Sequence, residues 1–397
     1  MYGAGNIGRG FIGALLSQIG YDVTFIDVNV NVVNALNTCG GYHQEIVGEH
    51  PKVNWISGVR AIDGSQAEAV IDAIAHTDLM AVALGVSVLP RVIPLIAKGL
   101  MQRWAKDPKR TLDLLICENL MHADQIIRSL LKDALDAPYD TIMEDALGLV
   151  ETSIGRMVPV MTDAMKKQDP LRICVEAYDY LPIDAAAVKG SLPAYKKLVP
   201  YSPFDFYLER KLYLHNMGHA LTAYLGKVAG LYYIYEAIEL ADIRLFVESA
   251  MSESAMAIAQ KYDIPFASLK IHSEDLVYRF GNRALKDTID RVTRDALRKL
   301  QPEDRLVGAA RNVEAQGIKP VYLSLGIAAC LCQQMALSQE TRTVEALLSQ
   351  VCKIDPKEPL GLCILAFTKQ LRSGTIDWQG LRTLGDGLKE INRGMLP

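Results

Sequence analysis

Lys211, Asn216 and His219 fall within the stretch ERKLYLHNMGHA at 209–220, and as a set they could oxidise an alcohol. A lysine made less basic by burial can take the hydroxyl proton while the carbon gives up hydride. An asparagine can donate to the oxygen on which charge develops. On an α-helix stepping about 100° per residue, the three sit at about 0°, 140° and 80°, one broad face. His219, next to glycine, reads equally well as a hydrogen-bonded core residue. His215 stands four residues earlier at the spacing of a zinc pair, but no third ligand of the right kind is near, so the sequence points to no metal.

The hydride needs an acceptor, and the chain opens on one candidate for its site. Residues 3–10 read GAGNIGRG, in which Gly3, Gly5 and Gly8 give the G-x-G-x-x-G spacing, with Asn6 and Ile7 completing the loop. Such a loop lets the backbone approach a pyrophosphate and opens a helix whose N-terminus favours the anion. Asp27, 19 residues past Gly8, can accept from both ribose hydroxyls, and Val28 and Asn29 after it bring no cation for a 2′-phosphate. The expected cofactor is therefore NAD rather than NADP. Gly85, ending a later apolar run, is the remaining candidate nucleotide contact.

These groups need elements to hold them. Phe11, Ile12, Leu15, Leu16 and Ile19 mark one helical face, while 23–26, 79–84 and 112–117 read as buried strands separated by helical patterns. That alternation predicts a doubly wound α/β domain of the Rossmann type, residues 1–200. Only Met1 and Tyr2 precede Gly3, where a strand of about five residues normally stands, so the first strand is expected to be missing or truncated. Beyond Pro203 the pattern becomes helical, over 207–228, 244–261, 283–300, 321–336 and 343–352. Residues 201–397 are thus expected to form an all-α domain carrying the catalytic and substrate groups, with the join in 192–206, where Pro193, Pro200 and Pro203 interrupt regular structure.

Bulk properties exclude other classes. The 397 residues, 50% hydrophobic and 22% charged, suit a soluble two-domain protein. A formal net charge of -4 supplies no field for capturing nucleic acid. The seven cysteines are odd in number and scattered, as in a reducing cytoplasm. The segment 79–100 is interrupted by Pro90, Arg91, Pro94 and Lys98, no signal peptide is visible, and no membrane partner is expected. Monomer and dimer both stay open.

The chain resembles the polyol-specific long-chain dehydrogenases. The likeness is carried by Lys-x4-Asn-x2-His at 211, 216 and 219, GAGNIGRGFIG at 3–13, VIPLIAKGL at 92–100, CENL at 117–120 and RVTRDALRKLQPEDRL at 291–306. The resemblance implies a metal-independent, NAD-dependent oxidoreductase of a polyol or sugar phosphate, such as mannitol 1-phosphate going to fructose 6-phosphate. It makes Lys211 the base, pairs Asn119 with Asn216 as an oxyanion pocket, and assigns Arg291 and Lys299 to the polyol. Read by itself, the basic run at 291–299 is equally a solvated helix face. A reductase of an unphosphorylated polyol or of a sugar acid such as tagaturonate or fructuronate would use the same set, and a chain that binds nucleotide without turnover is a third reading. The sequence departs from the family at GRMVP, 155–159, where Gly155 replaces an acid, and at Thr293 and Ala296, which replace a glycine and a proline.

Overall fold

The computed structural model describes residues 1–159, 161, 169–337, 339–373 and 376–393. Its contacts divide the chain into two compact units that meet in sequence at Tyr207 and Leu208.

The first unit is built on parallel strands. β1 (Val23–Asp27) is followed by β2 (Gly41–Ile46), β3 (Lys52–Ser57), β4 (Val59–Asp63), β5 (Leu79–Val82), β6 (Leu112–Ile116) and β7 (Leu147–Glu151), then by the shorter β8 (Ile173–Val175), β9 (Leu181–Asp184) and β10 (Leu198–Tyr201). β1 pairs with β4 in the register Val23↔Val59 to Asp27↔Asp63, and β6 lies between β5 and β7, all parallel. β2 forms an antiparallel pair with β3 and a parallel one with β8, which the sequence reading did not anticipate.

Successive residues of a strand point to opposite faces, and here each face has its own core. Phe25, Leu115 and Val150 pack with Phe11, Ile12 and Leu15 in one cluster. Their neighbours Ile26, Leu114, Ile116 and Leu149 pack with Val70, Ile74, Ile96 and Trp104 in the other. Helices therefore cover both sides of the sheet, which is the doubly wound arrangement. It also explains why the central strands read as unbroken apolar runs rather than alternating ones.

The place between β1 and β5 is held by Met1 and Tyr2. Tyr2 bridges both Ile26 and Val82 in parallel fashion. Its N–H donates to the Ala81 carbonyl at 2.7 Å and its carbonyl accepts from the Ala83 N–H at 3.0 Å, while Ile26 donates to the Met1 carbonyl at 2.9 Å. Met1 and Tyr2 thus pair in parallel with β1 on one side and with β5 on the other.

The second unit is helical. Its long members are Met217–Val228, Ala241–Tyr262, Phe266–Phe280, Val321–Met335, Pro359–Leu371 and Trp378–Arg393. Val321–Met335 is buried nearly all round, as its uniform hydrophobicity requires, and the buried Glu253 carboxylate accepts the Tyr322 and Leu323 amides at its N-terminus. The helix expected over 283–300 does not form as one piece. Lys286 and Asp295 adopt left-handed backbone, φ 47° and 56°, and divide the segment into Arg283–Leu285, Ile289–Val292 and Ala296–Lys299. Each break resets the side-chain phase, so the i,i+4 arithmetic for the basic run does not hold across it. Among the described residues, no helix is long and apolar enough to cross a membrane.

Candidate active site

In the first unit, the glycine loop leaves the sheet directly after Tyr2. Gly3 has φ +101°, and a Cβ on it would stand 2.5 Å from the Ala83 carbonyl oxygen. A Cβ on Gly8 would stand 1.9 Å from the Gly3 carbonyl oxygen, so the turn closes only with both glycines. Gly5 differs: it is exposed, and a Cβ there would meet nothing within 4 Å. The protein itself makes no demand for glycine at that position, whereas a phosphate brought against the backbone would. Asn6 is exposed and Ile7 half-buried, and both lie in the first turn of the helix, where main-chain amides lack partners within the helix. The residues present therefore fit a dinucleotide pyrophosphate.

Asp27 ends β1 beside this loop. One carboxylate oxygen accepts the Ala4 amide at 2.7 Å and the other the Asn29 amide at 2.9 Å. A carboxylate offers about four lone-pair directions, so these two bonds orient it and leave capacity for ribose hydroxyls.

Three anchors of this region escaped sequence reading. Glu118, buried after β6, accepts the Leu84 amide at 2.8 Å and the Gly85 amide at 3.0 Å, which fixes the loop where Gly85 turns with φ +88°. Burial raises its carboxyl pKa, and the two amides pull the other way. Arg9 donates to the Ala4 carbonyl at 2.7 Å, and Arg156 donates to the Glu176 carbonyl at 2.9 Å while lying over the Phe11 ring. Asn119 is exposed on the loop directly after Glu118. Gly155 packs on Tyr178, whose ring carbon would stand 3.0 Å from a Cβ at that position.

In the second unit, the Lys211 segment departs from the expected α-helix. Arg210–Asn216 is a π-helical turn leading into the α-helix Met217–Val228. The Met217 amide reaches the Leu212 carbonyl, an i→i+5 bond, and the Tyr213 carbonyl accepts the Ser254 hydroxyl at 2.6 Å. Ser254 is wholly buried, so this hydroxyl gives a partner to a carbonyl whose ordinary helical bonding the wider turn disturbs. The angular consequence bears on the site. A turn closed by i→i+5 bonds places residues five apart one above the other, and Lys211 and Asn216 are five apart. Their alignment is closer than the 140° separation an α-helix gives.

Lys211, Asn216 and His219 are each half-buried. His219 Nε2 lies 2.9 Å from Asp287 Oδ2, and its ring stacks on Phe280 with centroids 5.2 Å apart. Arg291 donates to both oxygens of the same carboxylate, at 2.7 Å each, so its guanidinium is engaged within the protein while its side chain stays 48% exposed. Lys299 is buried, with its ammonium donating to the Arg294 carbonyl. Burial, reinforced by Arg305 and Arg298, lowers its pKa to about 8. His215 is held neutral far below its usual pKa, first by burial and then by the charges of Arg279, His219, His272 and Lys211.

Among the described residues, His122, Asp124 and Glu151 bring ligand atoms within 4.8 Å of one another. Glu151 accepts the Ala123 amide at 2.8 Å, a helix-capping bond that gives this carboxylate a structural task. All seven cysteines are free thiols, with Cys39 exposed and Cys117, Cys174, Cys330, Cys352 and Cys363 buried.

The two units match two family models in turn. Residues 1–197 match the mannitol dehydrogenase Rossmann domain and residues 204–349 the mannitol dehydrogenase C-terminal domain. Two solved structures share the fold. One is a Pseudomonas fluorescens mannitol 2-dehydrogenase in a ternary complex with NAD and D-mannitol, with TM-score 0.76 and 16% identity, covering 98% of this chain and 93% of that one. The other is a substrate-free D-sorbitol dehydrogenase, with TM-score 0.80 and 14% identity, covering 96% and 93%.

Two measurements follow from this geometry. Ser254→Ala leaves the Tyr213 carbonyl without its partner and should cost about 1–2 kcal/mol in chemical denaturation, with a loss of turnover larger than that of a surface Ser→Ala control. For Lys299, the folded pKa of about 8 lies below the ordinary 10.5, so between these values the unfolded chain carries a proton that the folded chain has released. Stability contributed through this group therefore rises with pH across that window. Lys299→Met should flatten this component of the difference in unfolding free energy; parallel pH profiles for the two proteins would contradict it.

Proposed function

Because the chain belongs to the mannitol dehydrogenase family, we propose that it is an NAD-dependent enzyme interconverting a polyol phosphate and a ketose phosphate. The pair in view is mannitol 1-phosphate and fructose 6-phosphate, the reaction of a mannitol-1-phosphate 5-dehydrogenase. NAD, when bound along Gly3, Gly5, Asn6, Ile7 and Gly8 with its ribose at Asp27 and Gly85 nearby, supplies the hydride acceptor.

The chain's own groups do the rest. Lys211 takes the proton of the substrate hydroxyl during oxidation and returns it during reduction. Asn216 donates to the substrate oxygen as its negative charge grows, and Asn119 is assigned the same task. His219 orients the hydroxyl-bearing carbon, and Arg291 and Lys299 are assigned to the more distant part of the polyol. No metal enters this scheme, since the lysine supplies the base and the amides the electrostatic stabilisation.

The observation that favours a phosphorylated substrate is the cationic setting of the lysine turn. Arg279, which also pairs with Asp275, and Lys211 act on the buried His215, and Arg210 and Arg279 act on the half-buried His272. Such surroundings suit a doubly charged anion. They would also accept a carboxylate, which keeps a sugar-acid reductase of the tagaturonate or fructuronate type as the second reading.

A panel of mannitol 1-phosphate, mannitol, sorbitol, fructose 6-phosphate, fructuronate and tagaturonate, followed by NADH absorbance, separates the readings. We expect the phosphate esters to lead in kcat/KM. Equal rates for mannitol and its phosphate would remove the phosphate from the proposal. Lys211→Ala should lower turnover by about 10²–10⁴ while NAD still binds. Retained turnover in that variant would reject the lysine as base.

A further inference from the structure

We propose that Asp287 is a positioning residue that fixes His219 as a hydrogen-bond acceptor toward the substrate, so that this position reads a hydroxyl and discriminates against a carboxylate. The inference rests on the reading of the Lys211 turn as the reaction centre and deepens it.

The geometry is a chain of three side chains drawn from two stretches of the second unit. His219 lies in the helix Met217–Val228, Asp287 precedes the short helix Ile289–Val292, and Arg291 lies within it. The Asp287 side chain is 11% exposed and that of His219 15%. Arg291 donates from Nε to Oδ1 and from its terminal nitrogen to Oδ2, both at 2.7 Å, which is the two-point pairing that holds a carboxylate in one orientation. Burial opposes the charge on Asp287, but the bonds from His219 and Arg291 outweigh it and keep the carboxyl ionised well below its ordinary pKa.

An ionised carboxylate has lone pairs and no proton to give. The contact of 2.9 Å between His219 Nε2 and Asp287 Oδ2 therefore requires the hydrogen on Nε2. In a neutral imidazole that leaves Nδ1 as the nitrogen with a lone pair. Stacking on Phe280, with 24° between the planes, resists tilting of the ring, and the bond to Asp287 resists its rotation. With the ring neutral, a ligand arriving at His219 then meets a fixed acceptor. A polyol hydroxyl can donate to it, whereas a carboxylate or phosphate oxygen has nothing to donate and would set lone pair against lone pair.

The same chain gives Arg291 a defined task. Its pairing with Asp287 stabilises the carboxylate's charge and sets its angle, so it acts on the substrate through two intermediaries even where its exposed face meets the ligand directly.

The test begins with the ¹⁵N-labelled full chain without substrate. Long-range ¹H–¹⁵N spectra, with His219 assigned by His219→Gln, should show the tautomer protonated on Nε2. In Asp287→Ala the His219 signals should move to a mixture of tautomers, with kcat/KM for the polyol substrate falling about 10–100-fold, mostly in KM, while NAD affinity is unchanged. Asp287→Asn, whose amide oxygen can still accept from Nε2, should recover part of both readouts. A native spectrum showing the Nδ1–H tautomer would overturn the proposal even if every variant failed to fold. So would an Asp287→Ala enzyme with shifted tautomer and undiminished kcat/KM. The tautomer is read without turnover, so an inactive Lys211 assignment would leave this result standing, and the two failures can be told apart.

Discussion

Two peptide units join the halves of the parallel sheet. The Met1 and Tyr2 backbone pairs with Ile26 on one side and with Ala81 and Ala83 on the other, and the next residue, Gly3, donates to the Ile26 carbonyl at 2.8 Å. The glycine loop, the start of the first helix and the end of β1 with Asp27 all take their positions from this short span. Asp27 returns the favour by accepting the Ala4 amide, so loop and strand end fix one another. The parts of the nucleotide platform are also braced by side chains from elsewhere. Glu118 holds the loop after β5, and Arg9 and Arg156 hold carbonyls beneath the first helix.

The second unit solves a comparable problem with one carbonyl. A helix that widens by a residue must rehouse the backbone groups whose bonding it upsets, and the Ser254 hydroxyl does so for Tyr213. The wider turn changes which side chains align, bringing the Lys211–Asn216 spacing into step with the helix repeat. The Lys211 turn thus depends on a serine forty-one positions from Tyr213 in sequence, in a different helix.

Much of this was legible in the residues. The glycines, Asp27 and the buried strands β1, β5 and β6 could be read because each depends on local pattern: a turn that excludes Cβ, a strand end, a run of apolar side chains. The helical texture beyond Pro203 was legible for the same reason. What could not be read depends on partners remote in sequence. Glu118 looks like any acid after a strand until the Leu84 and Gly85 amides appear beside it. Asp287 gives no sign in sequence that it will stand between His219 and Arg291. The break of 283–300 turns on left-handed backbone at Lys286 and Asp295, residues that carry no glycine signal. The π turn leaves no mark in hydrophobic periodicity, since it shifts the phase by only one position.

Gly155 and Tyr178 share one space in the first unit. The Tyr178 ring, set edge-on against Tyr180 with centroids 5.9 Å apart, stands 3.0 Å from where a side chain at 155 would begin. A side chain at 155 therefore fits only if the Tyr178 ring gives by a few tenths of an ångström, so the size of one residue and the placement of the other are set together.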